Sequence, residues 1–92
     1  MTSGLQRTLT IVNQKGLHAR ASAKFVECVE AHDGLAWVSR DGLTVRGDSI
    51  MGLLTLGAAQ DTTIEVLCEG SDAAALMNAL EALLDSRFGE EA

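Results

Sequence analysis

The chain has 92 residues, 47% hydrophobic and 22% charged, which predicts a single globular domain over 1–92 with one modest core. Its formal net charge of −6 argues against nonspecific nucleic-acid binding, which needs a basic surface. No apolar run is long enough to span a bilayer and no leader pattern opens the chain, so neither membrane insertion nor secretion by that route is expected. Cys28 and Cys68 stand alone, without a CxxC or His-rich companion, which predicts free thiols in a cytoplasmic protein with no metal site and no cofactor.

Leu5, Leu9 and Ile11 alternate with Gln6, Thr8 and Thr10, the pattern of a half-buried strand, with Arg7 interrupting its apolar face. Residues 13–16 read as a loop. A helix is predicted over about 19–31, with Ala21, Phe25, Cys28, Val29 and His32 on one face and Lys24, Glu27 and Glu30 largely on the other. Gly34 stands where a left-handed residue is expected to end that helix. His32 reads as a helix-end or packing histidine with no chemical role. Two strands follow, 35–40 and 43–46, joined by Asp41-Gly42, a strong hairpin signal. Trp37 fits either the core or the exposed sheet face. Ser49 is a good N-cap for a short helix running through about Leu54 and ended by Gly57. A fourth strand is predicted over 62–69, with Ile64, Val66 and Cys68 on one face. Ser71-Asp72 opens the last helix, whose apolar stripe is Leu76, Met77, Leu80, Leu83, Leu84 and Phe88. Residues 1–4 and 89–92 are expected to be loose. The order β-α-β-β-α-β-α predicts a two-layer α+β domain, an antiparallel sheet with helices on one face.

Gly16-Leu17-His18-Ala19-Arg20 lies where an extended run ends and a helix begins. A helix N-terminus offers unpaired N–H groups and a partial positive charge, a natural place for phosphate. A histidine there can do more than bind, because its imidazole can accept a phosphoryl group and release it again. Gly16 allows a tight backbone approach, and Arg20 carries a fork of donors that matches phosphate oxygens.

The element order, the run from Asn13 to Arg20 and the run Gly47-Asp48-Ser49-Ile50-Met51-Gly52-Leu53 together resemble the HPr family, with its nitrogen-related branch, NPr. The family comprises the phosphocarriers of the bacterial phosphoenolpyruvate-dependent phosphotransferase system. The resemblance implies an open-faced sandwich of four antiparallel strands with three helices on one face. It implies that His18 is the phosphorylated histidine, modified at Nδ1, and that Arg20 steadies the phosphoryl group. Ser49 matches the serine that a dedicated kinase, the HPr kinase/phosphorylase, modifies for regulation. Ala19, Ile50, Met51 and Leu54 match the docking surface for enzyme I, of sugar or nitrogen type, and for an enzyme IIA-type acceptor. A monomer is expected, since one shared docking face suffices. The alternative is a regulatory binding module switched at Ser49.

Three positions depart from the family pattern. Ala21 stands where many relatives have proline, which would pin the first helical turn. Asp48 replaces a residue that is often basic beside the regulatory serine, and it disfavours a charged phosphoserine next to it. Glu27 and Glu30 replace lysines common in the sugar-transport branch, and the swap points to a different partner set.

Overall fold

A computed structural model describes residues 4–92; of the N-terminal residues expected to be loose, 1–3 lie outside the described residues. The elements are β1 (Leu5–Thr10), α1 (Ala19–Glu30), β2 (Leu35–Arg40), β3 (Leu43–Arg46), α2 (Ile50–Thr55), β4 (Thr63–Glu69) and α3 (Ala73–Asp85), followed by a 3-10 turn at Arg87–Gly89. The order matches the expected one.

Strand alternation decides the layers. Leu9, Ala36, Val38, Ile64, Val66 and Cys68 point to one face of the sheet and are buried there, while Gln6, Thr8, Glu65 and Thr63 point away. The sheet runs β1-β4-β2-β3, every pair antiparallel, with Leu9 opposite Ile64 and Val38 opposite Val66. α1 buries Ala21, Ser22, Phe25, Val26 and Val29, and α3 buries Ala73, Leu76, Met77, Leu80 and Leu84. Removing such side chains from water stabilises the fold by about 1.5–3 kcal/mol each for the larger ones. The result is the four-stranded open-faced sandwich expected from the sequence, helices on one face and solvent on the other.

Arg7 shares the inward side of β1 with Leu9, and it is accommodated by reaching Glu81 on α3 at 2.5 Å and Asn78 at 3.3 Å. Trp37 lies on the open face, half-buried. Its Nε1–H donates to Glu69 Oε1 at 3.0 Å and the Arg46 guanidinium sits 5.1 Å from its ring centre. Both cysteines are free, and burial pushes the Cys68 thiol up to about 11 and raises that of Cys28 as well, so both stay protonated and unreactive at neutral pH.

Two local expectations are corrected. Gly34 is not a left-handed helix terminator: α1 ends at Ala31 in right-handed geometry (φ −77°), and His32 Nδ1–H donates to the Cys28 carbonyl at 2.8 Å, satisfying the helix end. Glycine is required at 34 for a different reason, because a Cβ there would lie 2.5 Å from the Glu69 carbonyl oxygen. Phe88 is buried but lies beyond α3. Arg87 and Phe88 adopt left-handed backbone (φ 59° and 55°), which turns the chain out of the helix and drives the ring back into the core.

Candidate functional site

The site forms where β1 hands over to α1. Beyond Thr10, Ile11 stays bound to the segment that leads into β4, its N–H donating to Thr62 O at 2.9 Å and its carbonyl accepting from Asp61 N at 2.7 Å. The chain then has to turn within a few residues. Gly16 does so at φ +68°, and a Cβ there would come within 2.6 Å of the Ala58 carbonyl. Leu17, buried, donates its N–H to that same carbonyl at 2.9 Å.

His18 is the N-cap of α1. Its backbone is extended (φ −79°, ψ −175°), its carbonyl accepts the first helical bond from Ser22 N at 2.8 Å, and its Nδ1 accepts from Arg20 N at 3.2 Å. The ring is half-buried, and its other nitrogen, Nε2, lies 2.5 Å from Glu90 Oε2.

Both ends of the imidazole agree on its proton. An ionised carboxylate only accepts, so Nε2 carries the hydrogen; a backbone N–H only donates, so Nδ1 presents a lone pair. Burial raises the Glu90 carboxyl, but the hydrogen bonds from His18 and Asn13 together with electrostatic attraction to the His18 ring and to Lys15 outweigh it, so the group is held below the usual carboxylate range. Asn13 is wholly buried and spends both amide protons here, on Gly16 O at 2.8 Å and on Glu90 Oε1 at 3.1 Å. Its own Oδ1 has no hydrogen-bond partner among the described residues.

The structure places the other predicted residues in two groups. Ala19 and Arg20 sit exposed in the first turn of α1, and the Arg20 guanidinium makes no hydrogen bond or ion pair among the described residues. Ser49 is the N-cap of α2, its Oγ accepting from Gly52 N at 3.0 Å. Ile50 is 40% and Met51 71% exposed, whereas Leu54 is half-buried and Leu53 and Leu56 are inside. Asp48 is paired with Arg46 at 2.8 Å. The Leu17–Ala58 bond brings the two groups together, by tying the His18 loop to the segment that leaves α2. Among the described residues no cluster of side chains could hold a metal ion, and no helix is long and apolar enough to cross a membrane.

Two residues of the site carried no assigned role in the sequence reading. Asn13 was part of a recognisable motif. Glu90 has no local signal at all; the one pointer is Phe88, a large apolar residue just past the helix end, which keeps the following chain against the fold.

Comparison with known proteins gives a consistent picture. Residues 5–86 match the PTS-HPr family, described as the PTS HPr component phosphorylation site. The phosphocarrier protein HPr of Neisseria meningitidis serogroup A is 43% identical over 86 residues, covering 94% of this chain and 97% of its own. The phosphocarrier protein NPr of Shewanella violacea is 36% identical over 86 residues, covering 94% of each. Among solved structures, an HPr from Thermoanaerobacter tengcongensis superposes with a TM-score of 0.90 at 38% identity, covering 96% of this chain and 99% of that one. With its sheet order, its histidine-capped first helix and relatives of this identity along almost the whole length, the chain belongs to the HPr family of phosphocarrier proteins.

Proposed function

We propose that His18 takes a phosphoryl group on Nδ1 from phosphorylated enzyme I and passes it to a histidine of an enzyme IIA-type protein. The observation that carries this reading is the lone pair on Nδ1, set by the Arg20 N–H on one side of the ring and the Glu90 carboxylate on the other. The Nδ1 lone pair attacks the phosphorus in line, and the N–P bond of the donor breaks with its electrons returning to the donor ring. The bond from Arg20 N is long at 3.2 Å, so Nδ1 gives it up at little cost, and the same N–H is then free to meet a phosphoryl oxygen. The exposed Arg20 guanidinium, with no internal partner among the described residues, is available for the remaining oxygens.

Ala19, Ile50 and Met51, with the outer edge of Leu54, form the docking surface in this reading. Small, partly apolar patches of this kind suit an exchanging interface, and the exposed Glu27 and Glu30 on α1 favour partners with a basic rim, in keeping with a nitrogen-type enzyme I. A regulatory role through Ser49 and an HPr kinase/phosphorylase ranks second. The Ser49 hydroxyl is already engaged as the cap of α2, which accounts for a serine at this position.

The deciding experiment is incubation with phosphoenolpyruvate and enzyme I of either type, read by intact mass for wild type and His18→Ala. An acid-labile phosphate on wild type alone is the expected outcome. Phosphate on both proteins, or on neither while both are folded, overturns the assignment to His18.

A further inference from the structure

The chain beyond α3 is held against the site at several points. Phe88 is buried, and Lys24 Nζ donates to its carbonyl at 2.6 Å. Glu90 N donates to Arg87 O at 2.9 Å, and Gln14 N to Ala92 O at 3.1 Å. Between these anchors the Glu90 side chain spans Asn13 and His18, one oxygen to each. An isolated surface glutamate would swing freely; this one, 16% exposed, is pinned by its backbone on both sides and by a buried amide. Lys15 adds the attraction of its positive charge to the carboxylate, and both Lys15 and Arg20, whose backbone N–H meets the ring, are exposed.

We propose that Glu90 is a positioning residue for phosphoryl transfer, keeping one proton on Nε2 of His18 throughout acceptance and donation; this rests on the reading of His18 as the phosphoryl acceptor. The electron count shows why that matters. Attack by the neutral ring forms the Nδ1–P bond and leaves the ring with a positive charge, because Nε2 retains its hydrogen. The Glu90 carboxylate faces that charge. On donation, the Nδ1–P bond breaks, its electron pair returns to Nδ1, and the neutral Nε2–H tautomer departs. Without the proton on Nε2 the departing group would be an imidazolate, a far poorer leaving group. No proton enters or leaves in either half of the cycle. The logic is that of a carboxylate holding a catalytic imidazole in one tautomer and balancing its charge while remaining ionised itself.

The test uses the full chain as wild type, Glu90→Gln and Glu90→Ala, with His18→Ala as control. Transfer from phosphorylated enzyme I is followed as kcat and KM separately, and ring tautomers are read by nitrogen-15 correlation of the imidazole. The expected result for Glu90→Ala is a kcat lower by about tenfold at unchanged KM, as for other groups that act through a hydrogen-bonded histidine. Loss of the slowly exchanging Nε2–H signal should accompany it. Glu90→Gln, which still accepts a hydrogen bond but carries no charge, should lose less. An unchanged kcat in both variants, or a rise in KM alone, overturns the positioning role while leaving His18 as acceptor. Failure of wild type itself to take phosphate removes the underlying reading instead.

Discussion

The backbone N–H of Leu17 donates to the Ala58 carbonyl across 2.9 Å, and this bond couples the two halves of the working surface. Leu17 precedes His18, the proposed phosphoryl acceptor, and Ala58 follows the short helix that carries the exposed Ile50 and Met51. Both residues are buried, so the bond is shielded from competing water. In the proposed function, a partner that docks on α2 thereby meets His18 at a set distance.

Gly16 guards that coupling. Gly16→Ala would place a methyl group 2.6 Å from the Ala58 carbonyl at a positive φ that alanine disfavours. The expected loss is about 1–3 kcal/mol of stability, measured by urea unfolding, together with slower phosphorylation because the His18 loop must shift. An unfolding midpoint equal to wild type would show that the contact relaxes freely.

Arg20 should separate chemistry from folding. Its side chain is exposed and bound to nothing among the described residues, so Arg20→Ala should leave the melting temperature unchanged. Phosphoryl transfer should fall by roughly tenfold, the loss of about one charge-assisted hydrogen bond to the moving group. Rapid-quench kinetics alongside a thermal melt would decide it; a transfer rate equal to wild type would remove Arg20 from the mechanism.

Neighbouring residues of α2 should behave in opposite ways. Met51, 71% exposed, should be replaceable by Asp with little change in stability but a higher KM for enzyme I. Leu53 is fully buried, and Leu53→Ala should cost about 2–5 kcal/mol. Equal stability losses at the two positions would mean that Met51 packs inward.

The Glu90 contact should depend on pH in a defined direction. Burial pushes its carboxyl up, but the bonds from His18 and Asn13 and the attraction to His18 and Lys15 together exceed that effect and hold it below the usual range. A depressed acid stabilises the fold fully above its unfolded value, about 4.3, and that contribution disappears as pH falls through the lower folded value. The Asn13 side-chain amide resonances should therefore titrate with a midpoint below that of an ordinary glutamate. A midpoint at or above it would show that the carboxylate is not held as described.

What could be read from the sequence were features set by neighbours along the chain. β2 and β3 match their predicted limits because alternation and an Asp41-Gly42 turn, with φ of 51° and 83°, specify a hairpin locally. The caps at His18 and Ser49 were legible for the same reason, since a cap is a matter of three or four residues. Gly34 fits a helix-end pattern in the sequence, but its requirement comes from Glu69 on β4, and no helix-end rule contains that contact. Phe88 continued the helical period on paper, but the chain had already turned left-handed at Arg87. Glu90 was invisible as a site residue because its partners, Asn13 and His18, lie at the other end of the sequence.

The sheet order also shapes the route by which the fold is reached. Among the described residues β1 hydrogen-bonds only to β4, and Leu5 finds its register opposite Cys68. During synthesis the first strand therefore waits, unpaired, until most of the chain has emerged. The β2–β3 hairpin closes over two residues at little entropic cost, whereas the β1–β4 pairing must draw together distant segments. The loop bearing His18 hangs from the end of β1, so the surface proposed to accept phosphate is assembled by one of the last events of folding. In the proposed function, competence to carry phosphate is a report on completed folding: a chain with β1 undocked lacks the Ala58 anchor and has no ordered His18 to offer.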